Sequence, residues 1–407
     1  MQERKRFREH TDYDRTSFTQ SIDSSELNGK TFNCIDGCAM CCLCQPELGD
    51  DEYKLFRNDA HLRRGLTNTR ITGERRRRAD AIRLQGGCGA CYFLKQRRCT
   101  IYDIRPAFCV HFPVHFHSLS RIQIVANLSC RGIAINNRND TSSPGTPLEC
   151  YGRQFLTDDF LKLAIGELKR SRSTLCKFSE TCREAHVFQE EGRLREMGVL
   201  LSETLIPNDA IGKALSYAGR KPDIGNASLK SVVKEILETH TPDDICEVAS
   251  EGNYCDLNLH DISWLPVYTD EDLTWNVFQS HDGRIKHMRL HENGRYDIIN
   301  EYEYEDIRLL PLGRDAADVF SIYARTMAGR DCLIGHAYHV CAEEGYKTDL
   351  LTVYIGVTAT AMLDMWWRAS LICRIKKRSR IDSDMAVEGI RGYDMDFLDK
   401  PSLGTFF

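Results

Sequence analysis

The stretch Cys34-Ile-Asp-Gly-Cys38-Ala-Met-Cys41-Cys42, with Cys44 just beyond it, decides how the chain is to be read. Cysteines two or three residues apart let one tight loop aim several thiolates at a common point, as zinc and iron–sulfur centres require. A disulfide framework has no use for such close spacing. The pattern continues outward through Cys88, Cys91 and the segment Cys99-Thr-Ile-Tyr-Asp-Ile-Arg-Pro-Ala-Phe-Cys109. Cys34, Cys38 and Cys41 follow i, i+4, i+7, so a helical turn or a loop hinged at Gly37 would present them on one side. Cys42 cannot easily share that face. Adjacent cysteines diverge, so the Cys41-Cys42 pair points either to two neighbouring centres or to one ligand beside a structural thiol.

With Cys130-Arg-Gly-Ile and His111-Phe-Pro added, the region resembles the zinc- or iron-chelating cysteine-cluster family described by the pattern CxxCxxCC. The first gap here holds three residues rather than two, Arg131 replaces a proline, and Cys44 and Cys88 are additional. The resemblance covers roughly the first third of the chain. It implies metal ligation by Cys34, Cys38, Cys41, Cys42, Cys91, Cys99, Cys109 and Cys130, with Cys44 and Cys88 as secondary candidates. Eight thiols suffice for two four-cysteine iron–sulfur clusters or two zinc sites. Their number and dispersion favour iron–sulfur, with zinc as the alternative, and Phe93, Ile101, Tyr102, Phe108 and Phe112 would shield such a centre. The expected activity is redox, or metal delivery and maturation. One branch of the family resembles flagellin lysine N-methylases, which implies an S-adenosylmethionine-dependent protein lysine N-methylase as the enzymatic alternative.

Charge and composition set further bounds. The 407 residues, 42% apolar, can bury a sizeable core. No charged segment followed by an apolar stretch opens the chain, so eighteen cysteines are expected in a reducing, cytoplasmic setting where ligation outweighs disulfides. Residues 1–150 carry 23 Lys and Arg against 17 Asp and Glu, and the remainder 31 against 42. The basic excess near the cysteines, including Arg97, Arg98, Arg105 and Arg131, would offset an anionic thiolate centre. A rival reading makes Arg63-Arg64, Arg70 and Arg75 to Arg78 the anion-binding face of a zinc-stabilised binding module. A protein partner is the expectation; nucleic acid is less favoured, because no stacking aromatics interleave with the arginines.

The fold class expected is α+β: a loop-rich cysteine-cluster domain followed by a mainly helical region containing a β-hairpin. Residues 1–30 read as a polar arm, 31–135 as the metal-binding domain and 136–148 as a linker. Residues 149–256 read as helical, 257–378 as a hairpin-containing region with a long C-terminal helix, and 379–407 as a tail. Within the cysteine region the patterns predict a helix near 51–66, an Arg-rich helix near 74–84 and a strand over Arg121–Ala126. Further on, Arg284–His291 and Arg295–Ile307 alternate about Asn293-Gly294, predicting a hairpin with a type I′ turn. Helices are expected over 314–327 and 348–376; Asp364 and Arg368 make the second a buried helix rather than a membrane span.

Other constellations are weaker. His111, His115 and His117 would share one partly exposed strand face, although Pro113 weakens that strand. Cys332, His336 and His339 recur at i, i+4, i+7 near Cys341, but Leu333, Ile334 and Val340 around them read as core. Cys246, Cys255 and Cys373 stand alone. There is no phosphate-binding glycine loop, nucleophile elbow or His-Glu-x-x-His motif. The spacing Cys34-x-x-x-Cys38-x-x-Cys41 matches that of radical S-adenosylmethionine enzymes, yet no run of βα units follows it.

Overall fold

Alternating and helical periodicities divide the chain into a strand-rich first part and a helical last part. The computed structural model describes residues 22–70, 78–134, 145–204, 263–281, 284–303, 306–307 and 309–407. The first part contains β1 (Ile22–Asp23), β2 (Thr31–Phe32), α1 (Asp50–Asn58), β3 (Leu66–Arg70), β4 (Arg78–Ile82), β5 (Leu94–Lys95) and β6 (Arg98–Cys99). It ends with α2 (Ala107–His111), β7 (Val114–Ser118), β8 (Ile122–Ala126) and β9 (Thr146–Pro147). Three helices follow: α3 (Leu148–Arg153), α4 (Asp158–Glu184) and α5 (Glu191–Thr204). A meander of β10 (Ser263–Thr269), β11 (Trp275–His281), β12 (Arg284–Leu290) and β13 (Tyr296–Glu303) precedes α6 (Arg314–Ala328), α7 (Asp331–Glu343), α8 (Leu350–Ile375), α9 (Ser383–Phe397) and β14 (Thr405–Phe406).

This is the α+β arrangement the patterns predict, a cysteine region joined to a mainly helical C-terminal part. Helix α8 is apolar on nearly every side because α5, α7 and α9 surround it. Asp349 caps it by accepting from the Leu351 and Thr352 amides. Among the described helices it alone is long and apolar enough to cross a membrane, and most of its apolar window is buried against protein. The two charges in its interior are paired: Arg368 binds Asp364 at 2.7 Å and Asp396 at 2.8 Å. Strands β10–β13 form one antiparallel sheet in sequence order, and a second sheet runs β1-β8-β7-β14 with β1 parallel to β8.

Several expectations are corrected. The Arg-rich helix is strand β4, paired with β3 from Leu66↔Ile82 to Arg70↔Arg78; Ala81 and Ile82 bury one end of it, and residues 71–77 lie outside the described set. The helix near 51–66 stops at Asn58, and a 3-10 turn covers Leu62–Gly65. Residues 22–30 are not a free arm: Leu27 is buried and Glu26 binds Arg330. The tail contains α9, capped by Asp382 and seated on α8 through Met385, Ile390 and Tyr393. The predicted hairpin is β12–β13, but its turn differs. Gly294 takes φ +81° while Asn293 is not left-handed, and His291 O accepts from Gly294 N at 3.0 Å, so this is a type I turn closed by a left-handed glycine. Residues 205–262, with Cys246 and Cys255, lie outside the described set.

A candidate metal centre in the cysteine region

Each cysteine-bearing loop is held by its own backbone bonds. Gly37 at φ +77° and Ala39 at φ 48° bend the chain between Cys34 and Cys41, and a 3-10 turn over Met40–Leu43 follows. The loop hinged at Gly37, rather than a helical turn, therefore presents these thiols. The Cys91 amide donates to Cys42 O at 2.7 Å, which carries the second cysteine segment to the first. Strands β5 and β6 then place Cys99 opposite Leu94. Their two-residue turn has Gln96 at φ 50° and Arg97 at φ 62°, the type I′ geometry expected at Asn293-Gly294 and found here without glycine. Cys109 sits on α2, whose Ala107 amide donates to Glu52 of α1 at 2.6 Å. Cys130 is delivered by the Asn33 amide bonding to Gly132 O at 3.0 Å; a Cβ on Gly132 would come within 2.4 Å of Asn33 O, so the approach demands glycine.

The thiols surround Cys41 in two sets. Cys34 and Cys130 each lie in electrostatic reach of Cys38 and Cys41. Cys42, Cys91, Cys99 and Cys109 act on one another on the other side, again with Cys41 in range. Packing follows this division for four of the thiols: Cys42, Cys91 and Cys99 belong to one small core with Phe56, Phe93 and Ile101, whereas Cys130 packs on the main core. The two sets meet where Cys42 donates to Cys41. That bond holds Cys41 below its ordinary pKa and pushes Cys42 far up.

The electrostatics lack a cation. Burial, then neighbouring thiols, push Cys91 up to about 11; burial pushes Cys130 up to about 12 and Cys109 higher still. Arg105, stacked 3.6 Å over Tyr102, favours the thiolates of Cys34, Cys41, Cys99 and Cys109. Arg97 reaches Cys38, and Arg391 reaches Cys38 and Cys130, but three guanidinium groups cannot neutralise eight thiolates. A soft divalent ion or an iron–sulfur core would, so this donor set fits the chemistry of either. Among the described residues no three His, Cys, Asp or Glu side chains converge closely enough to hold an ion as they stand. Ligation therefore needs thiol rotations toward the centre of each set.

Cys88 stands apart from both sets, and Cys44 lies within electrostatic range of Cys41. The Cys88 thiol donates to Gly294 O at 3.5 Å, and exposed Cys44 lies beside Asp399. The three histidines do not share an exposed face. His111 ends α2 and packs 4.7 Å from Phe155, while His115 bonds Asn127 at 3.2 Å. His117 is fully buried beneath Phe406. In α7, Cys332 and Cys341 are buried, His336 meets Pro401 O at 2.8 Å and His339 meets Glu343 at 3.2 Å. Cys373 is buried in the main core.

Some supporting residues come from far along the chain. Cys38 O accepts from Trp275 Nε1 at 3.0 Å and from Arg97 Nη1 at 3.2 Å, and Arg97 lies 3.4 Å over the Trp275 ring. Glu292 accepts from the amides of Gln96 and Arg97 at 3.1 and 2.6 Å, clamping the strained β5–β6 turn. The alternation around Asn293-Gly294 marked a turn, but nothing in it marked a dock.

Comparison with known proteins adds one match: residues 33–131 fit the CxxCxxCC family model, described as a "putative zinc- or iron-chelating domain". Among curated proteins and solved structures, nothing matches the chain.

Proposed function

We propose, from the match of residues 33–131 to the model of a zinc- or iron-chelating cysteine-cluster domain, that the chain binds metal in two adjacent four-thiol centres. Cys34, Cys38, Cys41 and Cys130 make one; Cys42, Cys91, Cys99 and Cys109 make the other. The observation that carries this reading is the electrostatic grouping of eight thiols on either side of the Cys41–Cys42 contact, which the packing of Cys42, Cys91 and Cys99 apart from Cys130 follows. Two such centres side by side favour iron–sulfur over zinc, and thereby electron transfer or cluster delivery as the task. An iron–sulfur centre would supply one-electron chemistry.

The protein's own part is to hold and shield. Phe93 and Ile101 keep water from the second set, Arg105 offsets thiolate charge, and the Trp275 and Arg97 donors fix the backbone at Cys38.

Iron, zinc and acid-labile sulfide analysis of anaerobically purified protein, with spectra before and after dithionite, tests the metal. Iron with matching sulfide and a bleaching band supports the redox reading; zinc alone makes the centres structural. Metal content of three variants tests the partition. Cys38→Ser and Cys109→Ser should each lose about half the metal, since each removes one ligand from one of two centres, and Cys373→Ser none. Equal content in all three would sink the assignment.

A further inference from the structure

A cavity of about 30 Å³ separates the cysteine region from the C-terminal helices. Met40, Ser129 and Arg131 line it on one side, and Arg368, Glu388 and Arg391 on the other. Two of its three guanidinium groups are spent. Arg368 is engaged by Asp364 and Asp396, and Arg131 by Glu388 at 2.9 Å and by Thr269 O. Arg391 is different. Its Nε is buried with no hydrogen-bond partner, and its Nη2 reaches Ile133 O at a long 3.4 Å. The nearest acid along its helix, Glu388, already accepts from Arg131.

Its carboxylate counter-charge, Glu388, is shared with Arg131, and the buried Nε–H is left without an acceptor, so a small acceptor of negative charge is favoured there. The space would take about two water molecules, which excludes a nucleotide, a phosphopeptide or any organic substrate of ordinary size. We propose that this cavity binds one small monoanion, of the class of halide, formate or bicarbonate, with Arg391 Nε as its principal donor. The anion would lie against residues adjoining Cys41 and Cys130, so its occupancy would be felt beside both.

The site is independent of which metal the thiols hold. The thiolates of Cys38 and Cys130 are the rival counter-charge, because both lie in electrostatic range of Arg391. Crystals of the metal-loaded full chain grown in bromide separate the two. An anomalous peak in the cavity at Arg391, absent from Arg391→Met, is the expected result. No peak, a peak that persists in Arg391→Met, or a guanidinium turned onto the Cys38 and Cys130 sulfurs would overturn the proposal. Formate titration by calorimetry gives a second reading. Arg391→Met should weaken affinity at least about tenfold, as loss of a charged hydrogen bond does. Arg391→Lys keeps the charge without the Nε donor, so formate affinity should fall several-fold; an unchanged affinity in that variant would also overturn it.

Discussion

His117 shows what burial does to a single side chain. Both ring nitrogens lack partners, and desolvation holds its pKa down at about 3. The unfolded chain restores the ordinary value near 6.5 and takes up a proton that the folded chain refuses. Stability is therefore full above about pH 6.5 and is lost as pH falls from there toward 3. His115, held neutral to about 4 chiefly by burial, acts in the same direction. Replacing His117 with Met should move the acid-unfolding midpoint, followed by circular dichroism, to lower pH. A midpoint unmoved or raised would show that this ring does not limit acid stability. Nothing local signals the burial, because His117 is enclosed by Gly404 and Phe406, nearly three hundred residues away.

Among the elements, the β12–β13 hairpin does the least expected work. Its loop braces the β5–β6 turn, where two non-glycine residues in the left-handed region cost about 1–2 kcal/mol each. Glu292→Ala removes the acceptor of both amides. It should destabilise the protein by about 1–3 kcal/mol in denaturant titration and lower the metal retained after chelator challenge; unchanged retention would separate the brace from the centre. The hairpin itself was legible, since strict alternation about Asn-Gly has few other solutions. Its turn type was not, because Asn-Gly serves both a type I′ turn and a type I turn ended by a left-handed glycine. Strand β4 was misread because the arginine pattern suits a helix face, whereas Arg78–Ile82 is fixed by pairing with β3. Helix α9 was missed because its buried positions make sense only against α8. The thiols could be read because ligand spacing is local. Their braces could not, because Trp275 and Glu292 lie far outside the motif and share no pattern with it.

On the scale of the whole molecule, one buried arginine ties the parts together. Arg330 is wholly enclosed; it binds Glu26 through Nε at 2.9 Å and Nη2 at 2.7 Å, donates to Ala126 O at 2.8 Å, and pairs with Asp394. Asp394 in turn accepts from Tyr323 at 2.7 Å and from the Leu128 amide at 2.6 Å. The strand leading to Cys130, the segment around Glu26 and α9 are thus fastened at one point. Arg330→Met would remove the cation bonded to two enclosed carboxylates, leaving them only the more distant charge of Lys30, and should cost about 3–5 kcal/mol. Thermal unfolding checks this, and a loss below about 1 kcal/mol would mean that the node relaxes freely.

The donor from Trp275 to Cys38 O spans 237 residues. On a ribosome adding about 5–20 residues per second, the cysteine loop emerges roughly 10–50 s before the indole that braces it. During that interval the thiols are translated but unsupported. Whatever loads them must either act on a nascent chain whose loop is still loose or wait until synthesis has passed the hairpin.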